Sequence, residues 1–317
     1  MKKFFVLISL AFVCFSGFQS VALAADYPSQ PLNFIVAYGA GGGTDVSARV
    51  FEPYLKKYLG TNVGVVNKPG GNGEVGFSAI ATSKPDGYTI GILNFPVFFI
   101  NMDIRETSYS MDDFEILAPM GGSEHTIGVS VDSKIENLDS LIAEAKKNPG
   151  VLTIGSSGNF SDDYLGYLQF QKATGIELNH VAFKGAGPAR TAVIGGHVNL
   201  IAFNVDEAIP FVKNNQIRLL GVMSEKRHPQ LPDVPTFKEQ GYDVFSGSTR
   251  GIAAPKGLPK EISDMLKEAL KKALNDPEHV EKVNKMGQTF EYVEPDEYEK
   301  ILQNEAMLTK ELLTGVK

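Results

Sequence analysis

The stretch VAYGAGGGTDVSAR, residues 36–49, has the order of a buried strand, a glycine-rich turn and a helix. The glycines at 41–43 allow the backbone to turn sharply and to approach a ligand without side chains in the way. Thr44 is predicted to cap the helix, and Asp45 lies in its first turn, where a negative charge is favourable. Free N–H groups at a helix start bind anions. The stretch therefore predicts an anion-binding turn, and the alternative is a well-capped turn that binds nothing.

The turn does not fit the two common nucleotide motifs. A P-loop requires Gly-Lys-Ser/Thr at the helix start, and no lysine is present there. A dinucleotide fold requires G-x-G-x-x-G, but Thr44 occupies the last glycine position when counting starts at Gly39. The next predicted strand ends in Asn67-Lys68 instead of an acidic residue, so an NADP site through Lys68 is left as an alternative. A smaller anion, such as a carboxylate, fits the turn better.

The first 24 residues have the pattern of a cleaved export signal. Lys2 and Lys3 precede an apolar run at 4–15, and Ala-Leu-Ala at 22–24 offers a small-x-small cleavage site. A membrane anchor, the alternative, needs roughly 20 apolar residues, which this run does not supply. The single cysteine, Cys14, lies inside the segment and follows Val13, where a lipoprotein signal would have a small residue. We therefore expect a periplasmic protein with no thiol, which excludes disulfides and cysteine chemistry.

The net charge and the spacing of the histidines limit the kinds of molecule that the protein is expected to bind. The chain has 30 basic and 37 acidic residues and a formal charge of −7, which loss of the predicted signal lowers to −9. An acidic surface repels phosphate backbones and anionic lipid, so nucleic acid and membrane surfaces are poor partners. The five histidines are far apart and show no metal-binding spacing. We expect no metal and no cofactor.

The remaining chain alternates strands and helices. Strands are predicted at residues 32–38, 63–66, 127–131, 152–155, 178–183, 200–203 and 217–223, and residues 86–93 are predicted to form a turn followed by a strand. Helices are predicted at residues 44–59, 77–81, 138–147, 164–173, 188–194, 207–212, 260–274, 277–285 and 295–313. This order is typical of an α/β fold with two units, each a mostly parallel sheet flanked by helices. Ligands of such sheets bind at the carboxyl ends of the strands.

The second unit contains a loop of similar make, GSSGNFSDDY at residues 155–164. Its hydroxyl and amide donors are predicted to lie at a helix start, at Ser156, Ser157, Asn159 and Ser161. Neutral donors suit a carboxylate because they avoid the desolvation cost of a buried cation. The alternative is an ordinary helix cap. The loop lacks the G-x-S-x-G spacing of a nucleophile elbow.

Several stretches, in one order, resemble a known family. They include YPSQPLNFIVAYGAGGGTDVSAR, VVNKPGGNGEVG, KPDGYTIGIL, LTIGSSGNFS, HVAFKGAGPARTAVIGGHVNLIAF, LPDVPTFKEQGY and GIAAPKGLP. The chain is similar to the periplasmic solute receptors of tripartite tricarboxylate transporters, also called the Bug family. The resemblance implies a two-domain Venus flytrap of type II-like fold without catalytic activity. It also implies a monomer that captures a small solute, most often a carboxylate, and passes it to a permease with one large and one small membrane subunit.

The resemblance also assigns a site and domain boundaries. The family's ligand-binding positions fall on Gly42, Gly43, Thr44, Asp45, Asn94, Ser156, Ser157, Gly158, Asn159, Lys184, Gly185, Asn204 and Asp206. Domain one is expected at residues 25–123 plus 249–317 and domain two at 124–248, with the carboxylate bridging helix starts at Thr44 and Ser157. Departures from the family pattern at Tyr38, Tyr164, Phe183 and Asn204 leave the identity of the solute open. A receptor for a sensor kinase and an exported α/β enzyme remain alternatives.

Overall fold

The computed structural model describes residues 27–288, 290 and 292–314, so the predicted signal peptide at 1–24 lies outside the described residues. The strands are β1 Leu32–Val36, β2 Val63–Asn67, β3 Thr89–Phe95, β4 Phe114–Ser130, β5 Thr153–Ser156, β6 Asn179–Ala182, β7 Leu200–Asn204, β8 Ile217–Val222 and β9 Gly247–Pro255. The helices are α1 Gly43–Leu59, α2 Glu74–Ala81, α3 Val97–Ile104, α4 Leu138–Lys147, α5 Asp162–Thr174, α6 Ala186–Ile194, α7 Val205–Lys213, α8 Lys260–Leu274, α9 Pro277–Lys285 and α10 Pro295–Thr314. None of the helices in the described ranges is long and apolar enough to cross a membrane.

The nine strands form one curled sheet in the order β2-β1-β3-β9-β4-β7-β5-β6, with β8 paired to β4. In the first half, β1 pairs in parallel with β2 and β3, and in the second half β5 pairs in parallel with β6 and β7. The long strand β4 joins the halves, since residues 114–124 pair with β9 and residues 125–130 pair with β7 and β8. The predicted α/β fold is confirmed, and its sheet is mixed: each half has a parallel part, and the pairings of β9 with β3 and β4, and of β4 with β7 and β8, are antiparallel.

Both halves have an apolar core of their own. In the first, Phe51 and Leu55 of α1 pack with Leu266 and Leu270 of α8, and all four side chains are fully buried. In the second, the core includes Phe170 of α5 together with buried side chains of β5 and β7. Burying such a side chain completely stabilises the fold by about 1.5–3 kcal/mol. The predicted domain boundaries at 123/124 and 248/249 coincide with the end of the β4–β9 pairing, and they stay a prediction.

Local signals located most helices well. Helix α4 has the predicted bounds, and the Asn137 side chain caps it by accepting a hydrogen bond from the Ser140 N–H at 2.9 Å. Helix α3 was not predicted, because it opens with four apolar residues in a row and its short sequence shows no helical periodicity. Strand β9 and the first half of β4 were also missed. Both are continuous, mostly buried runs without the alternation that marks a strand.

Candidate functional site

A cavity of about 350 Å³ lies at the carboxyl ends of β1, β3, β5 and β7, where the two halves of the sheet face each other. Nine of the thirteen predicted site residues line this cavity: Gly42, Gly43, Thr44, Asn94, Ser157, Gly158, Asn159, Gly185 and Asn204. A larger cavity of about 880 Å³ extends along β4 and β9, and none of the thirteen lines it. The smaller cavity is therefore the candidate site.

The glycine turn presents backbone donors to the cavity. Helix α1 begins at Gly43, with Gly42 before it and no side-chain cap, so the prediction of Thr44 as the cap was wrong. The Thr44 hydroxyl instead accepts a hydrogen bond from the Asn94 side-chain amide at 2.8 Å. Among the described residues, the N–H groups of Gly43, Thr44 and Asp45 have no hydrogen-bond partner. Three free donors at a helix start form a suitable place for an anion.

Asp45 shapes the turn and does not line the cavity. Its buried carboxylate accepts hydrogen bonds from the Gly41 N–H at 2.8 Å and from the Asn67 side-chain amide at 2.9 Å, and it pairs with Arg49 at 3.0 Å. These contacts, with that to Arg49 the strongest, lower the pKa of Asp45 to about 2. Gly41 has a φ of +80°, which favours glycine. The charge of Asp45 thus stabilises the left-handed turn at Gly41 without lining the cavity.

The second loop is held by a carboxylate that the sequence analysis did not assign. Helix α5 begins at Asp162 after the cap residue Ser161, so the expectation that Ser157 lies at the helix start was wrong. Asp163 accepts hydrogen bonds from the Ser157 N–H and hydroxyl, both at 2.7 Å, and from the Ser161 hydroxyl. Burial raises the pKa of the Asp163 carboxyl. Both donors of Ser157 are therefore engaged within the loop.

Three further predicted residues lie outside the cavity lining. The Ser156 hydroxyl is buried behind the loop, 2.7 Å from His180 Nε2. Lys184 is exposed, and the Asp206 carboxylate accepts a hydrogen bond from the Gln288 amide at 3.1 Å. Ligand contact by these residues remains a prediction.

The main residue that the sequence analysis missed is Arg250 of β9. It lines both this cavity and the larger one along β4 and β9, is 5% exposed, and has no hydrogen-bond partner at Nε or Nη1 within the described chain. A Cβ atom added to Gly43 would lie 3.6 Å from Arg250 Nη2, so the guanidinium is next to the start of α1. The sequence analysis expected neutral donors in the two loops and one cation, Lys184, and did not include this buried guanidinium. The sequence does contain one signal for it: Arg250 stands directly before the apolar run GIAAP, which is expected to be buried. A buried arginine is rare without a partner.

Acidic residues line the opposite side of the cavity. Asp162 accepts a hydrogen bond from the Asn204 side-chain amide at 3.2 Å and lies 3.6 Å from His125 Nε2. Glu207 pairs with Arg190 at 2.7 Å, and burial raises the pKa of Glu207 to about 7 against the opposing charge of Arg190. With Asp163, the lining contains three carboxyl groups and one guanidinium. The cavity is thus polarised, with the cation on the first half and the acids on the second.

The family model described as tripartite tricarboxylate transporter family receptor matches residues 47–316. The chain belongs to this family. This receptor is 30% identical to the protein BugT of Bordetella pertussis over 290 residues, which are 90% of this chain and 89% of BugT. It is 32% identical to a UPF0065 protein of Cupriavidus necator over 277 residues, 87% of this chain and 84% of that protein.

Solved structures of periplasmic solute-binding proteins share the receptor's fold. A TctC solute binding protein from Polaromonas has 31% identity and a TM-score of 0.77, with 91% of this chain and 99% of that chain covered. The periplasmic binding protein BugD has 28% identity and a TM-score of 0.79, with 91% and 98% covered. An R. palustris protein with adipate has 25% identity and a TM-score of 0.83, again with 91% and 98% covered. The family and the fold predicted from the sequence are confirmed.

Proposed function

We propose that this receptor captures a small carboxylate in the cavity between the two halves of its sheet and delivers it to a tripartite tricarboxylate transporter. The supporting observation is the buried guanidinium of Arg250 beside the three free N–H groups at the start of α1. An uncompensated buried charge costs several kcal/mol, and a bound carboxylate would remove that cost through charge-assisted hydrogen bonds. The adipate in the R. palustris relative is consistent with such a ligand.

Capture involves both halves of the molecule. The carboxylate binds Arg250 and the start of α1 on the first half, while the rest of the solute contacts Gly158, Asn159 and Asn204 on the second. A ligand shifts the balance between open and closed forms only if it binds one form better, and contact with both halves provides that difference. The closed form then docks on one large and one small membrane subunit. In this proposal the receptor is a non-catalytic periplasmic monomer, exported by the signal at residues 1–24.

Thermal unfolding of residues 25–317 against a panel of organic acids tests the proposal. A bound acid at 100 times its Kd should stabilise the receptor by about 2.7 kcal/mol. The variant Arg250→Gln should lose this shift, whereas Arg227→Gln should keep it, because Arg227 is half-exposed and lies outside the cavity. The absence of a shift with every acid, or an equal shift in Arg250→Gln, would reject the site. The genes beside the receptor gene should encode the two membrane subunits.

A further inference from the structure

We infer that the receptor selects a carboxylic acid that also carries a protonated amine, with Arg250 holding the carboxylate and Asp162 holding the ammonium group. The inference rests on the proposed function and narrows its substrate class from small carboxylates to amphoteric ones. It comes from the distribution of charge across the cavity, which is opposite in sign on the two sides.

The first half of the molecule offers a binding site for the carboxylate of the solute. None of the ion pairs found in the described part of the chain includes Arg250. Two of its nitrogens also lack a hydrogen bond there, although the side chain is 95% buried. A guanidinium and a carboxylate match in geometry as well as in charge. Arg250 is the single cation in the lining, so the cavity neutralises one carboxylate.

The residue that would bind the ammonium group of the solute is identified by comparing the three acidic residues of the lining. Asp163 is occupied by the Ser157 and Ser161 donors, and Glu207 is paired with Arg190. Asp162 differs from both. Within the described residues its one ion-pair partner is His125, at 3.6 Å, and that contact is ionic only when the histidine is protonated; its one side-chain hydrogen bond comes from the neutral Asn204 amide. Asp162 is therefore the acid that can accept a cation from the solute.

A second carboxylate on the solute would meet the acids of the second half. Two like charges at close range repel, and the repulsion is stronger near a protein surface than in water. An ammonium group at the same place gains a charge-assisted hydrogen bond instead. Tyr38 also lines the cavity, where burial raises the pKa of its hydroxyl and the charge of Asp162 adds to that effect. The cavity thus favours a solute that carries an ammonium group as well as its carboxylate.

Isothermal titration with three matched sets of acids tests the inference on residues 25–317. Each set shares a carbon skeleton and differs at carbon 2, where it has an ammonium group, a hydroxyl or hydrogen. The sets are L-aspartate, L-malate and succinate; L-alanine, L-lactate and propionate; and L-leucine, 2-hydroxy-4-methylpentanoate and 4-methylpentanoate. In at least one set, the amine-bearing acid should bind ten times or more tightly than its hydroxyl analogue, which is about 1.4 kcal/mol.

Binding of hydroxy or unsubstituted acids with equal or higher affinity in every set would overturn the inference and leave the proposed function standing. Binding of no acid at all would overturn both. The variant Asp162→Asn should reduce the tenfold preference to less than threefold while still binding the hydroxyl analogue. Asp139→Asn is the matched control, because Asp139 is also in the first turn of a helix but is exposed. An unchanged preference in Asp162→Asn, or its loss in Glu207→Gln alone, would contradict the role of Asp162.

Discussion

The carboxylate of Asp45 provides the sharpest test of how the glycine turn is held. It accepts hydrogen bonds from the Gly41 N–H and the Asn67 amide, and it pairs with Arg49. These contacts lower the pKa of Asp45 from 3.8 to about 2. A difference of about 2 pKa units between the folded and the unfolded chain corresponds to about 2.5 kcal/mol of stability at neutral pH. Since the folded value is the lower one, this stability is present above about pH 4 and is lost as the pH falls towards 2.

The variant Asp45→Asn should therefore lower the free energy of unfolding by about 2 kcal/mol at pH 7. At pH 3 the difference should fall to about half of that, because much of the wild-type carboxylate is then protonated in the unfolded chain. Asparagine keeps the shape of the side chain and can still accept one hydrogen bond, so the loss stays below the full value. Urea unfolding of residues 25–317, followed by circular dichroism at both pH values, measures the difference.

The matched control is Asp264→Asn. Asp264 also pairs with a cation four residues away on a helix, Lys260, but these side chains are 59% and 81% exposed. Exposed pairs contribute less than about 1 kcal/mol, so this variant should unfold almost as the wild type does. Equal unfolding free energies of Asp45→Asn and wild type at pH 7 would refute the reasoning. Loss of solute binding without any loss of stability would instead indicate direct contact between Asp45 and the solute.

Three further variants test other parts of the structure. Burial raises the pKa of Glu305 from 4.5 to about 8, so stability that depends on its neutral form is lost as the pH rises from 4.5 through 8. In calorimetry, Glu305→Gln should have the same melting temperature as the wild type at pH 4 and a melting temperature several degrees higher at pH 8. A lower melting temperature of the variant at pH 8 would contradict this. Asn137→Ala removes the cap of α4 and should cost about 1 kcal/mol in a urea titration, and no change would mean that the cap is dispensable. Thr44→Val removes the acceptor for the Asn94 amide and should cost about 1–3 kcal/mol in the same assay, whereas an unchanged value would show that the amide finds another partner.

The parts of the fold that follow local rules could be predicted from the sequence. The glycine turn before α1 and the cap at Asn137 are set by neighbouring residues, and their helices begin within one residue of the prediction. The convergence of the loops follows from parallel strands, whose carboxyl ends share one edge of a sheet. This rule brought Asn94 and Asn204 to the same cavity, although 110 residues of chain separate them.

Arg250 could not be placed in this way, because its position depends on pairing between distant strands. Strand β9 returns from the second half and pairs antiparallel with β3, which sets Arg250 opposite Asn94. Neither β9 nor this register has a local signal in the sequence. The two acids at the start of α5 show the same limit. Acidic residues are favourable in any first helical turn, so the sequence alone does not reveal that Asp163 accepts the hydrogen bonds that hold the loop while Asp162 lies beside His125.

The central claim is that one carboxylate is held by Arg250 and the start of α1, between the two halves of the receptor. A crystal structure of residues 25–317, grown with the tightest-binding acid of the three sets, tests it most directly. The account predicts carboxylate oxygens about 2.7–3.0 Å from the Arg250 guanidinium and from the N–H groups of Gly43 or Thr44. An acid bound in the larger cavity along β4 and β9 without contact to the start of α1, or one whose carboxylate lies against the second half and leaves Arg250 without a partner, would contradict it.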